Sequence, residues 1–169
     1  LRLVGSEMCI RDRVFGCLTA NGEIDLPVMQ KLMKASQGLS VTFHRAFDVC
    51  RDPEKALEQI IGLGCNRILT SGQQATAELG IPLLKTLQTQ ASGRIILLAG
   101  CGVNEKNIVR IASETGIQEF HFSARESIKS DMKYKNESVS MGGTVHIDEY
   151  ERNITTAQRV INTIQAIKS

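Results

Sequence analysis

GRIILLAGCG, Gly93 to Gly102, reads as a strand buried on both faces. Ile95 to Ala99 are apolar without interruption, whereas a strand with one wet face alternates apolar and polar residues. Continuous runs of this kind belong to parallel sheets covered by helices. The run ends in a glycine turn, and NEKNIVRIASETG, Asn104 to Gly116, follows with the apolar spacing of a helix. Strand, tight turn and helix make one βα unit.

The same unit recurs on both sides. Upstream, NRILTSG (Asn66 to Gly72) and LSVTFHRAF (Leu39 to Phe47) read as strands. PEKALEQIIGLG, between them, is a helix opened by Asp52-Pro53 and closed by Gly64. LPVMQKLMKAS is another, capped by Asp25 and stopped at Gln37-Gly38, and VFGCLT (Val14 to Thr19) is a strand remnant before it. Downstream, the spacing predicts a helix over Thr76 to Gln90, disturbed by Gly80 and Pro82, and a fifth strand in IQEFHFSA. KSDMKYKNESVSMGG reads as a polar loop, and Asp148 to Lys168 as a closing helix.

Alternation of this length fits an α/β protein, either a doubly wound sheet or a (βα)8 barrel. Functional groups gather at the carboxyl ends of parallel strands. Those ends read LT, HRAFD, TSGQ, AGCGVN and HFSAR, and four of the five are polar or glycine-rich. That distribution favours a mouth shared by many strands, the arrangement of a barrel.

Composition narrows the function classes. The 169 residues carry a formal charge of +2 with no basic block, which argues against nucleic acid or an anionic membrane surface as partner. No apolar run approaches the ~20 residues of a membrane span. Five scattered cysteines without a CxxC pair argue against a disulfide framework or structural zinc. LRLVGSEMCIRDR at the start has neither strand nor helix period, and resembles the peptide obtained when sequencing-adapter DNA is translated. Residues 1–13 are therefore read as a foreign or disordered segment, and residues 14–169 as the domain, with the natural N-terminus expected further upstream.

His44, Arg45 and Asp48 arrive together at one strand end. An arginine there suits a carboxylate or phosphate, a histidine a proton transfer or a metal; equally, Arg45 and Asp48 make a structural pair that steadies the mouth. His121, between Phe120 and Phe122, is a second candidate for moving a proton, or a packed core residue. Gly100, Gly102, Ser123 and Ala124, extended by Ser71 and Gly72, have the makings of a backbone cradle for an anion. Lys133, in the MKYKN segment, belongs to a loop able to fold over such a ligand. Cys17 and Cys101 lie near strand ends and have the softness Cu(I) favours, or simply pack there.

VFGCLTANGEID, VTFHRAFD, RILTSGQ, AGCGVN, EFHFSAR and MKYKN, in that order, resemble the CutC copper homeostasis family over residues 14–169. The resemblance implies a cytoplasmic (βα)8 TIM barrel, copper homeostasis through Cu(I) binding or trafficking, and self-association as a homo-oligomer. The cysteines proposed as copper ligands in that family lie toward its N-terminus and have no counterpart here, so the resemblance assigns no metal residue. A barrel needs ~250 residues, and this chain supplies about four complete βα units and the end of a preceding strand. The expectation is a partial barrel that aggregates or pairs with another copy through its open edges. The residues themselves suggest a second function, an enzyme acting on a small anionic or phosphorylated metabolite at the mouth.

Overall fold

The computed structural model describes residues 12–136, 138 and 150–168. Five parallel strands lie side by side in chain order: β1 (Asp12–Phe15), β2 (Ser40–Phe43), β3 (Arg67–Thr70), β4 (Ile96–Gly100) and β5 (Glu119–His121). Helices follow them as α1 (Leu26–Ala35), α2 (Pro53–Gly62), α3 (Ile81–Ala91), α4 (Ile108–Thr115) and α5 (Ala157–Lys168). Because each strand pairs in parallel with the next, all five carboxyl ends emerge along one rim.

The caps stand where the sequence placed them. The Asp25 side chain accepts from the Val28 N–H at 3.1 Å, and Asp52 accepts from Lys55 N–H at 3.0 Å. Each cap satisfies a donor that the first helical turn leaves unpaired. The helices cover one face of the sheet, where Val41, Phe43, Ile68, Leu97 and Ala99 meet Met29, Leu57, Ile60, Leu84 and Ile111, all buried.

The opposite face is uncovered. Val14 is 53% exposed and Ile96 is 39% exposed. On that face Arg67 reaches across β4 to Glu119, with Nε donating to Oε2 at 2.7 Å. In a closed barrel, side chains of the remaining strands fill this concave side; the sheet described here is open at β1 and β5.

Four expectations need correction. The third helix begins at Ile81 and not at Thr76, because Gly80 is wedged against the Ser71 carbonyl and the preceding residues form a turn. The fifth strand is only three residues long. The closing segment is not a loop followed by one helix: β6 (Arg125–Lys129) and β7 (Glu151–Thr155) form an antiparallel pair, and only then does α5 start. Its charged residues mask the strand pattern, since only Ile128 and Ile154 are apolar in the pair. β1 starts at Asp12, two residues ahead of the expected Val14. Residues 1–11, and 137 with 139–149 of the polar segment, lie outside the described residues.

Candidate functional site

β2 ends at Phe43, and the chain turns at once into a 3₁₀ helix, Arg45–Val49. His44 caps that helix, its Nδ1 accepting from the Ala46 N–H at 3.1 Å. The end of the strand therefore decides which group faces the mouth. Arg45 lines the pocket there, and His44 is absent from its lining.

Asp48, on the same turn, organises the next strand end. Its side chain is 6% exposed. The carboxylate accepts from Thr70 Oγ1 at 2.6 Å, from the Ser71 N–H at 3.0 Å, from the Gln73 N–H at 3.3 Å and from Arg45 Nε at 2.6 Å. Arg45 Nη2 also donates to Ser71 Oγ at 3.0 Å. Hydrogen bonding to Asp48 raises the Arg45 pKa above its ordinary value, burial opposing. Arg45 is thus fixed in orientation, and it remains accessible, its side chain 44% exposed.

Gly72 and Gly80 let the β3–α3 loop close on itself. A Cβ at Gly72, whose φ is +68°, would stand 2.5 Å from the Gly80 carbonyl oxygen. Ser71, fully buried, is held inside this crossing, and its hydroxyl lies 2.6 Å from the Gln74 carbonyl. Ser71 and Gly72 hence act on the mouth through Arg45 and Asp48.

The pocket holds about 310 Å³ and is lined by Arg45, Leu69, Cys101, Gly102, Val103, His121, Phe122, Ser123 and Arg125. Arg45, Gly102, Ser123 and His121, expected from sequence, meet there. Cys101 adopts φ +78°, and its thiol donates to the Ala75 carbonyl at 3.0 Å. Gly100 ends β4 beside His121, where a Cβ would press on Leu69 Cδ1 at 2.6 Å. Ala124, at φ +46°, is buried and turns the chain from β5 into β6. Lys133 is exposed beyond β6, away from the lining.

Arg125 is the lining residue that the site reading missed. It was visible in HFSAR, but nothing in the local pattern says that the chain turns back at Ala124 and returns Arg125 to the mouth. Among the described residues, no group of three or more His, Cys, Asp or Glu side chains is placed to hold a metal ion. Cys101 and His121 do share the pocket, beside Arg45. No helix among them is long and apolar enough to cross a membrane.

Comparison with known proteins agrees with this architecture. A model of the CutC family matches residues 3–126. A CutC family protein of Bacteroides thetaiotaomicron is 96% identical over 156 residues, which cover 92% of this chain and 63% of that protein. One from Parabacteroides distasonis is 54% identical over 91% of the chain and 63% of its own length. The chain thus spans under two thirds of the length of these relatives. The crystal structure of CutC from Streptococcus agalactiae superposes with a TM-score of 0.61 at 38% identity, covering 64% of this chain and 53% of that one. A native KDPGal structure superposes with a TM-score of 0.54 over 96% of this chain and 61% of its own; at 14% identity it shows the fold alone. With its TIM-barrel-like α/β fold, the chain belongs to the CutC family.

Proposed function

We propose that the rim pocket binds a small anionic, phosphate- or carboxylate-bearing metabolite, with Arg45 as its anchor and His121 positioned to move a proton. The observation that carries this reading is a guanidinium held rigid by Asp48 and Ser71, opening onto a pocket whose lining contains no acidic side chain. A pre-oriented guanidinium forms paired hydrogen bonds with a carboxylate or phosphate at little further entropic cost. Gly102 and Ser123 line the pocket beside it and bring strand-end backbone, of the kind that receives anions, to the same wall.

The family name adds a second reading, copper homeostasis through Cu(I) binding or trafficking. One observation favours it: Cys101 and His121, a soft and a borderline donor, line the same pocket. The described residues do not form a copper centre by themselves, and the adjacent Arg45 charge opposes a cation. Copper is then cargo whose further ligands lie in the rest of a full-length relative. A cytoplasmic location and a homo-oligomeric assembly, both implied by the resemblance, belong to the same proposal.

Equilibrium dialysis of the full chain against labelled phosphate, beside a Cu(I) titration under reducing conditions, separates the two readings. Arg45→Gln is expected to weaken phosphate at least tenfold, the loss of a charge-assisted pair. Phosphate binding that is absent from the wild-type chain contradicts the anion reading. One Cu(I) per chain that survives Arg45→Gln and is lost in Cys101→Ser establishes the copper reading instead.

A further inference from the structure

We infer that Arg125 selects the charge of the ligand, making the pocket favour dianions of the phosphate class over monoanionic carboxylates. The inference rests on the anion-binding reading and deepens it. The two arginines that line the pocket differ in one respect. Arg45 is already matched by the Asp48 carboxylate at 2.6 Å. Arg125 lines the same pocket and has no carboxylate partner among the described residues, so its charge stands there uncompensated.

The segment bearing it is tied down carbonyl by carbonyl. The Ser123 carbonyl accepts from Thr155 Oγ1 at 3.0 Å, and the Ala124 carbonyl from the Thr156 N–H at 3.4 Å. The Arg125 carbonyl accepts from Arg159 Nη1. Arg159 Nη2 in turn donates to Glu105 Oε2 at 3.1 Å, on the loop between β4 and α4. That carboxylate, held below its usual range first by its own backbone N–H and then by Arg159, is matched by Arg159 and does not neutralise Arg125. The lead-in to α5 therefore fixes the backbone of Arg125 at the pocket while leaving its charge unpaired.

A matched pair and a lone charge discriminate differently. The field of the Arg45–Asp48 pair is that of a dipole and falls off quickly. The attraction of Arg125 is Coulombic and proportional to ligand charge, so a dianion gains twice what a monoanion gains. Removing it therefore costs a dianion the square of the factor that it costs a monoanion.

The test uses the full chain, with labelled sulfate as the dianion and labelled acetate as the monoanion, in equilibrium dialysis. Arg125→Gln is expected to weaken sulfate about tenfold and acetate about threefold, while Arg125→Lys stays within about threefold of the wild type for sulfate. Arg125 is exposed, and an unchanged melting temperature confirms that the variant is folded. Sulfate affinity unaltered in Arg125→Gln, or equal losses for sulfate and acetate, overturns the inference and leaves the anion site standing. A wild-type chain that takes up neither anion overturns the underlying reading as well.

Discussion

Asp48→Ala is expected to lower the stability of the chain by about 3 kcal/mol and to abolish anion binding at the mouth. The carboxylate is nearly buried and accepts from four groups at once: Thr70 Oγ1, the Ser71 and Gln73 N–H groups, and Arg45 Nε. Without it, buried donors at the end of β3 lose their acceptor, and each such loss costs about 1–3 kcal/mol. Arg45 loses the partner that orients it and becomes an unpaired cation on a mobile stem. For a chain of this size, ~3 kcal/mol corresponds to a fall in melting temperature of roughly 6–12 °C. Asp48→Asn keeps the shape and part of the acceptor capacity, so its loss is expected to be about half as large. Calorimetry of both variants checks the stability, and phosphate dialysis checks the site. If Asp48→Ala melts with the wild type, the carboxylate is not what holds the mouth together.

Gly80→Ala is expected to be comparably damaging, at about 3 kcal/mol, for a steric reason. Any Cβ at this position collides with the Ser71 carbonyl and stands 3.0 Å from the Gly72 Cα. These neighbours are backbone and cannot rotate away. The loop has to open, carrying Ser71 off Arg45 and Asp48, so anion binding falls with stability. Gly62→Ala supplies the contrast. Gly62 lies in α2 with nothing within 4 Å of its added Cβ, and alanine there is expected to add about 0.5–1 kcal/mol through helix propensity. Thermal melts of the two variants should move in opposite directions. A Gly80→Ala melt within a degree of the wild type contradicts the tight crossing.

The two variants mark the boundary of what the sequence reveals. Strand and helix order is local, and Ile95–Ala99, Asp25 and Asp52 announced it through periodicity and capping. The meeting of Arg45 with Gly102, His121 and Ser123 followed from one topological rule, that parallel strands deliver their carboxyl ends to a common rim. Three features resisted reading because each depends on a non-local contact. His44 and Arg45 were told apart only by where β2 stops. Gly80 looked like a flaw inside a helix, whereas its bare Cα is what lets Ser71 pass. Arg125 sits at the head of a strand pair whose exposed faces are charged, so neither apolar alternation nor turn chemistry marked it. The uncovered face of the sheet, with Val14 and Ile96 exposed, agrees with a chain that spans under two thirds of its relatives' length.

Selenate, a dianion with a strong anomalous signal, offers the most direct test that the rim is an anion site. Crystals of the full chain soaked in selenate are expected to show an anomalous peak at hydrogen-bonding distance from the Arg45 and Arg125 guanidinium groups, close to Gly102 and Ser123. That peak should vanish in Arg45→Gln. Selenate bound only elsewhere, with the rim pocket of the wild-type chain left without a peak, would contradict the account.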